Sequence, residues 1–507
     1  MDDNNWLPHL TNEMTKGARR HLCAYLVSLE AWRRGLKIKW YSRKVKKRGI
    51  HAPGRLFSIS SADRTHTFYK TQGDKVSAES QRVTGNKDLA KKLFAEFDVP
   101  FPEGKRFSAE SNNYEIIEYA KEIGFPLVLK PTKGFQGIGV VANIMTEEYL
   151  NESLKYVREE LGYMDVIVER FIRGKEYRLY VIENEVIAAI NRVPANIIGD
   201  GNHTIRQLIK LKNKQRLKNP RLAVCLIKVD YEVKKYVEKA GLTLDSVLEN
   251  GEILYLREKS NISTGGDSID VLDELPATMK STAVNALKSI PGLPHGGVDL
   301  IYDDTNPDSQ AYVLEINAIP QIGSLVYPMK GKGRDIPAAL IDYYFPETKN
   351  MSHNNYRFYY DFKSMLQPLV SKLAEEITIT PPPSEPNLQS EKLIIKGNVQ
   401  NVGYRRWARK RAIELDLHGS VQNKNKNVEI VIAGNENSIL KFKTECAIGP
   451  KRANIEEVLS KEWNKPIKIG FEIKESVIHK PKVNKNKKTN LTFKSRMKKA
   501  LKIMIEK

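Results

Sequence analysis

Cysteine is scarce: Cys23, Cys225 and Cys446 are the only three in 507 residues, and they lie far apart with no CxxC pair among them. That excludes a disulfide framework and a thiolate metal site, and a reducing cytoplasm is the expected setting. Long apolar runs are missing too. None reaches the ~18 residues that a membrane-spanning helix needs, and MDDNNWLPHL lacks the charged start and apolar stretch of a signal peptide, so no export is expected. Glycine (31) and proline (24) are too few for a collagen-like chain, while 41% hydrophobic residues are too many for a wholly disordered one. At this length the chain divides into roughly three or four domains.

Acidic residues are outnumbered, 61 against 82 basic, for a net charge of +21. Such a surplus first suggests an anionic partner such as nucleic acid, a membrane surface or a phosphate-rich ligand. Its distribution changes that reading. Residues 16–48 hold twelve basic side chains against Glu30 alone, and residues 479–507 hold eleven against Glu506 alone, so the middle of the chain is close to neutral. No specific nucleic-acid partner is expected. The segment 479–507 reads as a solvated tail, with peripheral contact to an anionic surface as the alternative. The charge of 16–48 reads as decoration of a helix and strand, AYLVSLEAWRRGLKIKWY.

Helical and strand periodicities alternate through the first two thirds. GLKIKWY reads as a strand, residues 56–70 as a polar hairpin, NKDLAKKLFAEFDVP as a helix ending before Pro100, and YEIIEYAKEIG as an amphipathic helix. PLVLKP, DVIVERFI and EYRLYVIENEVIAAI read as strands, with a helix over EEYLNESLKYVREELG. The fold class is α+β. TPPPSEPNLQS at 380–390 reads as an extended, semi-rigid linker. The expected organisation is an α/β region at 1–70, a large domain at 71–348, a helical segment and linker at 349–390, a small domain at 391–476 and the basic tail at 477–507.

Two constellations carry chemistry. Lys130 ends an apolar strand and runs into KGFQGIGVV, where Gly134, Gly137 and Gly139 let backbone N–H groups approach an anion closely. By itself such a tip is more often a plain turn, and Lys87 at a helix start reads equally as a solvated lysine. The second constellation is HGGVDLIYDDTNPDSQAYVLEINAIPQIG. Hairpin pairing across its polar loop brings Asp299 within about one residue of facing Glu315, and Asn317 shares the face of Glu315. Two carboxylates and an amide oxygen suit Mg²⁺ beside substrate phosphates; the alternative is that these polar residues merely face solvent.

The order Lys87, Lys130 with its glycine loop, VERFIRGKEYR, Asp299 and Glu315-Ile-Asn317 resembles the ATP-grasp fold of carboxylate–amine ligases over roughly residues 70–345. NRVPANIIGDGNHTIRQLI at 191–209 and LREKSNISTGGDSIDV at 256–271 resemble segments of the ATP-grasp domains of cyanophycin synthetases and bifunctional glutathione synthetases. The resemblance implies ATP and Mg²⁺ as cofactors, with Lys87 and Lys130 on the nucleotide phosphates and the 134–139 loop closing over them. It places adenine against Glu169, Phe171 and Ile172 and the ribose at Glu176, with Arg178, Arg192, Arg257 and Asn261 towards the acyl phosphate and the metal. The further domains those synthetases carry have no counterpart in this sequence, so their substrates do not transfer; an amino acid or short peptide is the reasonable class.

After the linker, LIIKGNVQNVGYRRWARKRAIELDLHGSVQNKNKNVEIVIAG runs strand, glycine-bounded loop, basic helix, strand, turn, strand, which is a ferredoxin-like order. GNVQNVGYR followed by GSVQN resembles the acylphosphatase family over 391–475. That resemblance implies that Arg405 binds phosphate in a cradle of backbone N–H groups from about Gln400 to Arg405, and that Asn423 positions the attacking water. Asn401 stands where the family usually has glycine, and the turn NKNKN is about one residue short. The expected function is an ATP-dependent ligase acting through an acyl phosphate, with a second site that hydrolyses acyl phosphates. The competing readings are an acylphosphatase with a nucleotide-sensing module, and a non-enzymatic anion-binding protein using its basic ends.

Overall fold

The computed structural model describes residues 4–42, 44–45, 50–132, 138–306, 309–349, 351, 356–383 and 388–475. Two compact units divide the chain, the first comprising residues 1–386 with 464–469 and the second comprising 387–463 with 470–507. Among the described residues no helix is long and apolar enough to cross a membrane.

Unit 1 opens with the helix Leu22–Arg33 against a five-stranded sheet ordered Glu376–Thr378, Lys37–Tyr41, Leu56–Ser60, Thr65–Tyr69 and Gln72–Gly73. Every residue of that helix is buried, and so is Arg34 directly after it, so Arg33 and Arg34 are two of the twelve basic residues expected at a surface that are not there. Arg33 donates to the carbonyls of His9, Tyr356 and Phe358, and Arg34 reaches Glu30, Asp342 and the Ala338 carbonyl. Their charge serves the core, because a buried guanidinium is tolerable only when its donors meet oxygen acceptors. The 349–390 stretch also differs from a helix followed by linker. Glu376–Thr378 pairs with Lys37–Tyr41, and the strand Leu388–Asn398 already begins inside the expected linker, of which 384–387 lie outside the described residues.

Next comes a four-stranded antiparallel sheet ordered Val141–Ile144, Leu127–Pro131, Val166–Arg170 and Gly104–Phe107. The helices Asn113–Ile123 and Glu147–Leu154 bury their apolar faces on it through Ile116, Ala120, Leu150 and Leu154. A larger sheet follows, ordered Asp267–Asp270, Glu185–Val193, Lys175–Ile182, His295–Tyr302 and Tyr312–Asn317, with the helices Lys87–Glu96 and Ala277–Lys288 on its apolar face. Asn86 caps the first of these helices by accepting from the N–H groups of Asp88 and Leu89, so the helix begins at Lys87. The segments 191–209 and 256–271 meet at the buried Asp267, which accepts from Asn196 Nδ2 at 3.3 Å, and the later part of the helix Ile205–Lys218 adds Arg216 at 2.8 Å and Lys212.

Unit 2 is a five-stranded sheet ordered Asn454–Glu462, Leu388–Asn398, Asn427–Asn435, His418–Lys424 and Phe471–Ile473, with the helices Tyr404–Glu414 and Glu436–Ile448 packed on it through Ala408, Ala412, Ile439 and Phe442. The order matches the ferredoxin-like expectation.

Inside unit 1, His295 is fully buried between the hydroxyls of Tyr180 (3.3 Å) and Tyr344 (3.1 Å), and burial, aided by the Lys75 charge, lowers its pKa to about 3. The unfolded chain therefore binds a proton below pH ~6.5 that the folded one refuses, so stability falls as pH drops. Between pH 6.5 and 5, where the carboxylates stay ionised, the expected loss from this group is roughly 1.4 kcal/mol per pH unit. Denaturant titrations across that window should show a shallower pH slope in His295→Gln than in the wild type, whatever the variant's absolute stability.

Candidate functional site

Glu169 is the last residue but one of the strand Val166–Arg170, pairs in register with Val128 two residues before Lys130, and is 3% exposed. Its carboxylate lies between the ammonium groups of Lys130 and Lys91. Burial alone would raise its pKa, but the two lysines outweigh that and hold it below the usual carboxylate value. Lys87 stands one helical turn before Lys91. Its pKa is lowered by burial and by the Lys130 charge, with Glu315 and Glu169 opposing, so the helix start, the Lys130 strand and the Glu315 strand all bear on one region. Lys91 was not singled out from the sequence, although its i,i+4 spacing from Lys87 was the available signal.

Across the larger sheet Arg178, Asp299 and Glu315 form one row, Arg178 opposite Asp299 and Asp299 opposite Glu315. The register shifts between Asp299 and Leu300, which skips Leu314 and leaves Val313 and Ile316 in the core while Glu315 and Asn317 share the other face. Arg178 holds Asp299 with two bonds of 2.7 Å, and Arg192 adds a third at 3.0 Å while reaching Glu176 at 3.2 Å. Burial pushes the Asp299 pKa up and the two guanidinium groups bring it below normal, whereas burial raises that of Glu176, only partly offset by Arg192. The alternative of solvent-facing polar residues does not describe Asp299.

The metal expectation rests on Asp299, Glu315 and Asn317. No three His, Cys, Asp or Glu side chains come together at a metal's reach among the described residues, and the expected third donor, Asn317, is an amide. Asp299 faces Glu315 and Asn317 shares the Glu315 face, so two carboxylates and an amide Oδ1 offer the oxygen donors that Mg²⁺ takes, while Asn317 Nδ2, buried without a hydrogen-bond partner among the described residues, is not itself a ligand atom. Arg257 is buried and pairs with Asp230 and Glu232, two partners the sequence did not suggest; the Asn261 side chain accepts from Ser263 N–H and starts a short turn. Phe171 and Ile172 are half-buried after the Glu169 strand, with Phe171 N–H donating to the Pro126 carbonyl. Gly139 has φ +75°. Gly134 and Gly137 lie outside the described residues, as does the tail 477–507.

In unit 2 the loop between Asn398 and Tyr404 turns through Asn401 (φ +59°) and Gly403 (φ +85°), so the position where glycine was expected does require left-handed backbone. Gln400 Nε2 donates to the carbonyls of Asn425 (3.0 Å) and Asn427 (2.9 Å), tying this loop to the short turn of the following hairpin. Arg405 is the second residue of the helix that begins there. Asn423 lies on the strand His418–Lys424, and its Oδ1 is buried with no hydrogen-bond partner among the described residues. A helix start, a guanidinium on its second residue and an amide oxygen without a partner among the described residues are groups of the kind that hold an anion and a water.

Residues 84–202 match the RimK-like ATP-grasp domain family, and residues 391–473 match the acylphosphatase family. The chain joins an ATP-grasp domain to an acylphosphatase domain. The cyanophycin synthetase of Crocosphaera subtropica is 36% identical over 268 residues, covering 52% of this chain and 30% of the relative. The glutathione biosynthesis bifunctional protein of Enterococcus faecalis is 35% identical over 277 residues, covering 52% and 36%. The chain thus spans about a third of the length of these relatives. The solved acylphosphatase of Coxiella burnetii is 30% identical over 17% of this chain and 94% of its own, with a TM-score of 0.17.

Asn401 offers a clean test of the acylphosphatase loop. Asn401→Gly should keep or slightly raise the stability of unit 2, while Asn401→Ala should lose about 1–2 kcal/mol, since a Cβ without an amide is disfavoured at this φ. Thermal melts of the two variants check the order.

Proposed function

We propose that this chain is an ATP-dependent carboxylate–amine ligase, acting on an amino acid or short peptide through an acyl phosphate, and that its acylphosphatase domain hydrolyses acyl phosphate. The observation that carries the reading is the row Arg178, Asp299 and Glu315, buried at its centre and half-buried at either side, with Asn317 beside it, which faces the same region as Lys87. Paired cations and carboxylates on that face suit phosphoryl transfer, where the protein positions groups and stabilises charge rather than forming bonds of its own.

In this reading Lys87 and Lys130 take the nucleotide phosphates, and Glu169 keeps Lys130 and Lys91 oriented and charged. Phe171, Ile172 and Glu176 lie along the nucleotide. Asp299, Glu315 and Asn317 would hold Mg²⁺, which would supply positive charge against the phosphates. Arg178 and Arg192 hold Asp299 in place, and the buried Arg192 Nε has no hydrogen-bond partner among the described residues. Arg257 and Asn261 stand towards the acceptor end. The mixed anhydride has to be kept from water until an amine reaches its carbonyl carbon.

In the second domain Arg405 and the N–H groups of the 399–405 loop receive the phosphoryl group, and Asn423 Oδ1 aligns a water with phosphorus. A neutral amide orients water without repelling it from a dianion. One protein that both forms and hydrolyses acyl phosphate can clear intermediate that has escaped or is wrong, a form of editing.

The test is ADP release on adding a carboxylate and an amine. Glu315→Ala should lower it ~10²-fold or more, and Arg405→Ala should leave coupled release within about twofold while cutting amine-independent ATP turnover ~10-fold. Release that ignores added carboxylate and amine contradicts the ligase reading, and unchanged uncoupled turnover in Arg405→Ala contradicts editing.

A further inference from the structure

The acylphosphatase domain carries a second surface, which its hydrolytic site does not use. The helices Tyr404–Glu414 and Glu436–Ile448 pack side by side on one face of the sheet. They run in opposite directions, since Tyr404 at the start of one donates its hydroxyl to the Cys446 carbonyl near the end of the other at 2.7 Å. Their inner faces serve the core through Tyr404, Ala408, Ala412, Ile439 and Phe442. Arg406, Arg409, Lys410 and Ile413 from the first helix and Leu440, Lys441 and Ile448 from the second turn outward and are exposed. The two helices hold seven basic residues against Glu414, Glu436 and Glu445, and Arg411 occupies both Glu414 and Glu445. Arg406 has no ion pair among the described residues, and Lys410 reaches Glu414 only at 3.8 Å.

A single exposed apolar side chain is ordinary, but Ile413, Leu440 and Ile448 are 51%, 62% and 74% exposed on the same two-helix face as these cations. The strand Phe471–Ile473 runs beside the first helix, whose Arg409 Nε donates to the Phe471 carbonyl at 3.2 Å. The described residues end at 475, and the sequence continues from there into the basic segment 479–507. That segment repeats the composition of the helix face. It has eleven basic residues against Glu506 and, at 3.6 residues per turn, Phe493, Met497, Leu501 and Met504 on one stripe with Lys498, Lys499 and Lys502 opposite. A soluble polyanion such as nucleic acid satisfies the cations but leaves the aliphatic side chains in water. The interface of an anionic bilayer takes both, cations at the headgroups and apolar side chains at the acyl boundary. Stacking of bases would need aromatic side chains, and none of the seven outward residues is aromatic.

We propose that the outward face of these two helices, together with the segment 479–507, binds the surface of a bilayer containing anionic phospholipid, so that the acylphosphatase domain works at a membrane. The inference stands apart from the ligase reading. The full chain is sedimented with vesicles of phosphatidylcholine alone and of phosphatidylcholine mixed equally with phosphatidylglycerol. It should bind the mixed vesicles roughly tenfold or more tightly than the neutral ones, and lose most of that binding at high salt. Three variants should each bind the mixed vesicles roughly tenfold more weakly: removal of residues 479–507, Phe493→Ser/Leu501→Ser and Lys410→Glu/Lys441→Glu. All three should hydrolyse a soluble acyl phosphate within about twofold of the wild type, which reports that the domain is folded. The truncation removes no described residue, so it decides even where a helix variant fails to fold. Equal binding to both vesicle types, no binding to either, or undiminished binding in the truncated chain or in folded Lys410→Glu/Lys441→Glu overturns the proposal. Vesicle binding that survives Phe493→Ser/Leu501→Ser and is competed away by a single-stranded oligonucleotide also overturns it, and reassigns the surface to a soluble polyanion.

Discussion

A carboxylate taken out of water has to meet a cation, and the ATP-grasp domain does this twice, at Glu169 and at Asp299. Each is almost fully buried and each is held by two basic side chains, Lys91 and Lys130 in one case and Arg178 and Arg192 in the other. Removing one partner from such a group leaves a buried charge alone, commonly a loss of about 3–5 kcal/mol. The two clusters therefore fix where their lysines and arginines point before any nucleotide arrives. Preorganised charge of this kind is the main contribution a protein makes to phosphoryl transfer.

The acylphosphatase domain meets a related constraint with neutral groups. Its loop turns through left-handed backbone at Asn401 and Gly403, and Gln400 braces the loop against the next hairpin. Strain of this sort persists only where the surroundings hold it, and here two hydrogen bonds from one side-chain amide do so.

Much of this was legible in the sequence because it depends on spacing. A polar loop between two strands sets which residues face each other, so the Asp299–Glu315 pairing could be read directly, and the left-handed demand at Asn401 followed from glycine being the expected residue there. Other features depend on three-dimensional context. A count of basic residues assumes solvent around each, and Arg33 and Arg34 violate it because most of the carbonyls and carboxylates that surround them come from residues about three hundred positions away. The bulge at Leu314 is a register event with no local signature, and the partners of Arg257, Asp230 and Glu232, sit on a separate helix start. Lys91 carried a local signal in its spacing from Lys87, but the reason for its burial, Glu169, is 78 residues further on.

The central claim is that both domains handle the same mixed anhydride, and oxygen tracing tests it most directly. With a carboxylate substrate labelled with ¹⁸O and an amine present, the account predicts that each phosphate released during ligation carries one oxygen from the carboxylate. When the amine is omitted, phosphate should instead carry solvent oxygen, with both labels left on the carboxylate, because water then attacks phosphorus. Phosphate free of carboxylate oxygen during ligation would contradict the account.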